Sequence, residues 1–262
     1  MEKSLLKDSV RQIKNTFKRF LSIVAIVLLG VGFFAGITAT SPDMKDTIDT
    51  YFDDENVMDI EVISTLGLTD EDIEALKQVD GTKDVVGTYS IDATFSNDKK
   101  EYVVKIESMP DTINNVILKE GSLPQNVDEC VVESSLLTMT GYKIGDYITL
   151  NPQKIESSTS LGDIDISNEK DSNDNNSNND STVKNKKVKI VGTVQSPLYI
   201  SRSRGSSKLG AGSVNFYMYM PKENFNMDVY TIAYITADGA KNLKTYKDEY
   251  QKKIDKVKDN IE

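Results

Sequence analysis

The sequence predicts an α+β extracytoplasmic domain, carried on a single N-terminal transmembrane helix and followed by a C-terminal helix that begins a coiled coil. Three observations predict it. Residues 21–40 (LSIVAIVLLGVGFFAGITAT) hold no charged side chain. Residues 57–236 alternate strand-like runs with short helical ones. The last twenty residues place apolar side chains at helical spacing.

At 1.5 Å per residue, the uncharged segment spans about 30 Å, the thickness of one hydrocarbon core. The first twenty residues carry six cations (Lys3, Lys7, Arg11, Lys14, Lys18, Arg19) and two anions (Glu2, Asp8), a balance of +4. The rest carries 25 cations and 39 anions, a balance of −14 within a whole-chain charge of −10. Cations flank the segment on its N-terminal side, so the positive-inside bias puts Met1 in the cytoplasm and everything after the span outside the plasma membrane. We read 21–41 as a retained anchor in the lipid bilayer. A cleaved signal peptide is the rival reading. Its apolar run is normally about 7–15 residues, and Ile37-Thr38-Ala39 is a poor cleavage site.

Residues 1–20 space Leu5, Leu6, Val10, Ile13, Phe17 and Phe20 as one helical face between Lys and Arg. That is a basic amphipathic helix expected on the inner leaflet. Gly32 and Gly36 form G-x-x-x-G and are the candidate helix-packing residues, since small side chains let a second helix approach. The plainer reading is that glycine is frequent in membrane helices.

The outer domain is expected over 42–240. Ser41-Pro42-Asp43 has the chemistry of a helix start, or of a kink in a continuous helix. Residues 57–64 alternate as a strand. Thr69 caps a short helix, with Asp72 as an imperfect capping box. Strand signals follow at 84–95 and 101–107, a turn at 121–124, and a strand at 129–133. Residues 134–140 read as a short helix closed by Gly141. A strand ends at Leu150. Over 155–186 the pattern fails: between Ser167 and Ser181 only Glu169 and Lys170 are not Ser, Asn or Asp. Such a stretch buries too little apolar area to offset its ordering entropy, and we expect a disordered insertion. Strands resume at 187–195, 214–220 and 229–236, with a Gly/Ser-rich loop at 196–213. Over 241–262, Leu243, Tyr246, Tyr250, Ile254, Val257 and Ile261 follow a spacing of 3, 4, 4, 3, 4, near a heptad seam. The seam runs to Glu262 without a stop signal, as if cut inside a helix.

The composition excludes much chemistry. There is no His and one Cys, so His-based triads, His-ligated zinc sites, intramolecular disulfides and cysteine metal clusters are ruled out. The acidic outer region repels nucleic acid. No P-loop, dinucleotide fingerprint or G-x-S-x-G elbow occurs. Ser-x-x-Lys at Ser4, Ser96 and Ser167 lacks the further motifs of acyl enzymes. Asp163, Asp165 and Ser167 resemble the start of a calcium loop, but Asn168 replaces its glycine and Asp174 its glutamate. The paired acids Asp53-Asp54 and Asp70/Asp72 read as helix-end charges. Cys130 reads as a small core side chain. No catalytic, cofactor or metal residues are assigned. Arg202 and Arg204, the two arginines beyond the membrane, are candidate partner contacts, able to grip a carboxylate. The competing reading is a solvated loop.

The order of these pieces resembles the N-terminal part of FtsX/MacB-type ABC transporter permeases. The resemblance begins in IKNTFKRFLSIVAIVLLGVGFFAG (13–36) and continues in VDGTKDVVG (79–87). It is strongest in EGSLPQNVDECVVESSLLTMTGYKIGDYITL (120–150) and returns in KIVGTVQSPLYISRSRGSSKLGAGSVNFYMYMP (189–221). It implies a non-catalytic permease subunit with a MacB-like extracytoplasmic core domain, a Gram-positive type of envelope, a partner ATP-binding subunit, and a homodimer when complete. Family members carry four membrane helices, and this chain shows one. We therefore expect a truncated or partial permease. The rival is a single-pass surface protein binding a ligand or envelope partner through its acidic domain. A membrane-anchored hydrolase is poorly supported, for want of a nucleophile–base set.

Overall fold

The computed structural model describes residues 11, 14, 16–97, 100–152, 181–201 and 203–261. The chain divides between Tyr51 and Phe52 into two units. The boundary thus falls ten residues beyond the expected end of the anchor, because one helix, α1 (Phe17–Asp54), runs through Ser41 and Pro42 without a break. Its 38 residues measure about 57 Å. Pro42 removes a single backbone donor. Ile23, Ile26, Leu29 and Phe33 are exposed around the helix, which is long and apolar enough to cross a membrane. Ser22, Thr38 and Thr40 turn their hydroxyls back on carbonyls one turn earlier, and so satisfy their own donors where water is absent.

The second unit contains two sheets. The small one has the order β1 (Ile60–Leu68), β11 (Tyr230–Ala237), β2 (Thr82–Thr88), all antiparallel. Helices α2 (Asp70–Lys77) and α4 (Asp248–Ile261) bury Ile73, Ile254 and Val257 against Ile60, Val85, Ala233 and Ile235. The capping box of α2 is complete. Thr69 Oγ1 accepts from the Asp72 amide at 3.2 Å, and Asp72 Oδ2 accepts from the Thr69 amide at 2.8 Å. The expected coiled coil is not what α4 shows. Ile254 and Val257 are each 3% exposed, with Tyr250 and Ile261 packed beside them, so its apolar seam is core of this domain.

The large sheet follows the path β5 (Ile117–Gly121), β9 (Lys187–Gln195), β6 (Glu129–Val132), β10 (Phe216–Met220), β4 (Glu101–Ser108), β3 (Ser90–Ser96), β8 (Asn151–Pro152). β6 runs parallel to β9 and β10 parallel to β4; the other pairs are antiparallel. The stretch Tyr147–Pro152 closes this path on itself. Its first half, β7 (Tyr147–Thr149), pairs with β9, and its second half pairs with β3. The result is a barrel whose interior holds Phe95, Ile106, Val132, Ile148, Ile190, Phe216 and Met218, with Leu136 of α3 (Ser134–Thr140). Cys130 lies there as a buried side chain, as expected, and burial pushes its thiol pKa up.

The single strand expected over 84–95 is two strands in different sheets. The chain changes sheet at Tyr89, where the Ser90 amide donates to Thr231 Oγ1 at 2.7 Å and the Ser108 amide to the Tyr89 carbonyl at 2.9 Å. Gly121 and Gly192 explain why two of the quoted motif stretches need glycine. Gly121 has φ +80°, and a Cβ there would lie 2.2 Å from the Val191 carbonyl oxygen. A Cβ on Gly192 would lie 2.6 Å from the Glu120 and Ser122 oxygens. The two backbones cross too closely for any side chain.

Of the expected insertion at 155–186, all but the end lies outside the described residues, and with it the calcium-like run from Asp163 to Asp174. Residues 181–186 belong to the fold: Thr182 and Val183 are buried, Val183 bridges to Phe225, and the Leu150 amide donates to the Lys186 carbonyl at 2.8 Å.

Candidate functional site

Alternation along β4 and β10 turns Glu107, Tyr217 and Tyr219 away from the barrel interior. They sit with Val131 and Val194 in a separate buried cluster on the outer face. The Gly/Ser-rich loop after β9 folds onto this face through two side chains, Tyr199 and Arg204.

Tyr199 stacks on Tyr217 with ring centroids 4.4 Å apart and planes at 9°. Its hydroxyl donates to Glu107 Oε1. Ser196 Oγ meets the Tyr219 hydroxyl at 2.7 Å, and the Tyr217 hydroxyl donates to the Val194 carbonyl at 3.2 Å. Glu107 is 5% exposed. Burial raises its carboxyl pKa, against the lowering effect of the Tyr199 hydrogen bond and of Lys105. The same burial raises the hydroxyl pKa values of Tyr199 and Tyr219, and the Glu107 charge adds to it. Beside them Lys105 Nζ lies 3.0 Å from Asp92 Oδ1.

Arg204 was expected to hold a carboxylate of a partner or ligand. The carboxylate it holds belongs to its own chain. Arg204 Nε donates to Glu133 Oε2 at 2.8 Å, with side-chain exposures of 19% and 5%. Its guanidinium lies 5.6 Å from the Tyr217 ring centroid, and a second N–H donates to the Ser201 carbonyl. Ser135 donates to the other Glu133 oxygen. Both Glu133 carboxylate oxygens therefore have partners within the chain, and Arg204 ties the loop to this face. Arg202 lies outside the described residues. Glu107 and Glu133 went unnoticed in the sequence because each sits in an otherwise apolar strand end, where a single acid carries no motif.

Gly32 and Gly36 stand elsewhere, on α1. A Cβ at either position would meet nothing within 4 Å. Neither glycine is required by its own helix, and both leave room along it.

A cleft of about 380 Å³ lies at the edge of the small sheet, lined among others by Asn56, Asp59, Lys83, Lys241 and Tyr250. Asp59 is committed to the fold: Oδ1 accepts from the Tyr250 hydroxyl at 2.6 Å and Oδ2 from the Ala237 amide at 2.7 Å. Among the described residues no group of three His, Cys, Asp or Glu side chains is arranged to hold a metal ion.

The chain is similar to two solved extracytoplasmic domains. One is the extracellular domain of the noncanonic ABC-type transporter YknZ from Gram-positive bacteria, with 14% identity, 75% of this chain and 87% of that one covered, and a TM-score of 0.38. The other is the periplasmic region of MacB from Actinobacillus actinomycetemcomitans, with 12% identity, 68% and 67% covered, and a TM-score of 0.36. No curated protein matches the chain. The model of the MacB-like periplasmic core domain matches residues 20–252, from within α1 to within α4. The chain accordingly belongs to the MacB-like periplasmic core domain family, the outer domain of FtsX/MacB-type ABC transporter permeases.

Proposed function

We propose that this chain is the N-terminal portion of an ABC transporter permease subunit. It has no catalytic role of its own. It relays ATP hydrolysis by a partner ATP-binding subunit, across a plasma membrane, to its outer domain, in export or in mechanical work on the envelope. Its N-terminus is cytoplasmic and its main domain extracellular. Gly32 and Gly36 give α1 a flat strip on which a second membrane helix packs, in the complete permease or in its homodimer. The observation that carries the reading is that one family match begins inside the apolar helix and runs through both sheets. An anchor added to an unrelated surface domain would break that continuity.

The test is affinity purification of the full-length gene product from membranes in mild detergent. The expected result is co-purification of an ATP-binding subunit whose ATPase activity changes in its presence. A tagged protein that comes out alone from membranes that contain such subunits sinks the reading and favours a single-pass surface protein. A cysteine at Met139 should react with a membrane-impermeant thiol reagent in intact cells. Failure there overturns the assigned topology.

A further inference from the structure

Two non-glycine residues among those described have a left-handed backbone, Asn56 (φ 48°) and Asn114 (φ 62°). They are 58 positions apart and bonded to each other's segments. The Asn114 amide donates to the Asn56 carbonyl at 2.9 Å, and the Asn115 amide to the Glu55 carbonyl at 2.9 Å. Asn56 Nδ2 donates to the Thr112 carbonyl at 2.6 Å. The Met58 amide donates to Asn114 Oδ1 at 2.9 Å. Four hydrogen bonds thus join residues 55–58, where the chain leaves α1, to residues 112–115, between β4 and β5. Asparagine suits both places. It tolerates the left-handed region at little cost, and its amide reaches a second backbone segment. Glycine would keep the turn and the two backbone bonds and lose the two side-chain ones.

Each side of this clasp is fixed in turn to a different sheet. The 109–116 loop is held to the barrel by the Met109 amide on the Met220 carbonyl at 2.8 Å, by the Asp111–Lys222 ion pair, and by Val116 packing on the Tyr217–Tyr219 cluster. Three residues past Asn56, Asp59 is held to the small sheet: its amide donates to the Ile235 carbonyl at 2.9 Å, and its carboxylate takes Ala237 and Tyr250. Lys241 donates to the Asp53 carbonyl. The seven residues 53–59 therefore bond to the small sheet directly, through Asp59, and to the barrel through the 109–116 loop.

We propose that residues 53–59 form a coupling joint, in which Asn56 and Asn114 are positioning residues. They lock the chain leaving α1 to the barrel, so that a displacement imposed at Phe52–Asp54 reaches barrel and small sheet together. The proposal deepens the relay reading and rests on it for its purpose, but its geometry is tested without the ATPase.

The experiment is double electron–electron resonance on the full chain in nanodiscs, in a Cys130→Ala background. Nitroxide pairs sit at Asp54 and Met139 (helix end to barrel) and at Asp54 and Glu71 (helix end to small sheet), all exposed positions. Both distance distributions should be narrow. Asn114→Ala should broaden the 54–139 distribution at least twofold and leave 54–71 unchanged. Measured at about pH 4, where a buried carboxyl is neutral, Asn114→Asp keeps the Oδ1 acceptor and alters only the Nδ2 side, which has no partner among the described residues, so it should restore the narrow distribution there. Ile254→Val, which loosens the small core without touching the joint, should broaden neither. A 54–139 width unchanged by Asn114→Ala, an equal broadening of both pairs, or no rescue by aspartate overturns the proposal. Failure of the ATP-binding subunit to co-purify, with these widths behaving as stated, would remove the relay reading and leave the joint.

Discussion

Arg204 and Glu133 face each other at 2.8 Å beneath the Gly/Ser-rich loop, with Tyr217 packed against the guanidinium. Glu133 is nearly inaccessible, and its charge has no other cation bonded to it among the described residues. Removing one partner of such a pair strands the other. Arg204→Ala should cost about 3 kcal/mol in denaturant unfolding of the full chain in detergent. Arg204→Met with Glu133→Gln should recover most of that loss. Equal losses for the single and double variants would show that the pair is not what holds the loop.

Glu107 gives a signed dependence on pH. Its folded pKa is raised by burial, so the folded state favours the protonated carboxyl. The stability this confers is fully present below the ordinary glutamate pKa of about 4.3, and is lost as pH rises through the higher folded value. Glu107→Gln cannot ionise and still offers Tyr199 an acceptor. Its melting temperature should therefore rise relative to the native protein as pH increases above about 4. A difference that stays flat from pH 4 to 8 would contradict the raised pKa.

Gly121 and Gly141 share a left-handed backbone, with φ +80° and +84°, but only Gly121 is hemmed in. Gly141→Ala should cost about 1 kcal/mol, the strain of a side chain in that conformation. Gly121→Ala adds a clash with the Val191 carbonyl that no rotamer relieves. It should cost well above about 2 kcal/mol and lower the yield of folded protein. Similar melting temperatures for the two variants would refute the close crossing.

The C-terminal residues offer a simple contrast. Ile254, within α4, is 3% exposed, and Tyr246, in the turn before α4, is 50% exposed. Ile254→Ala should cost about 3 kcal/mol, in the range for deleting a buried aliphatic side chain. Tyr246→Ala should fall within about 0.5 kcal/mol of the native protein. Were the helix held mainly by an external coiled-coil partner, Ile254→Ala would change little in the isolated chain.

Much of this fold was legible in the sequence. The uncharged run, the Thr69 cap, Gly141 and the strand KVKIVGTVQ are local signals, and each appears where residue spacing puts it. What escaped was set by partners distant in the chain. The alternation over 84–95 reads as one strand because nothing local reveals that Thr231 and Ser108 pull the chain into a second sheet at Tyr89. The seam of α4 has coiled-coil spacing whatever it packs on; only the small sheet shows that its partner is internal. The sequence offered Arg204 as a partner contact or as part of a solvated loop, and in the structure its guanidinium meets Glu133. Its target could not be found, because Glu133 lies 71 residues away with no shared motif.

Both sheets place a late strand at their centre. β10 lies between β6 and β4, and β11 between β1 and β2. Neither sheet can therefore assemble in the order of synthesis. A chain that has emerged as far as Gln195 holds β4, β6, β1 and β2 with their middle partners still to come. The exposed strand edges of that intermediate are prone to wrong pairing, and pairings this distant in sequence form slowly. The domain is thus committed to folding after residue 237 has emerged, and its vulnerable period lies in the interval between the appearance of β9 and the insertion of β10 and β11.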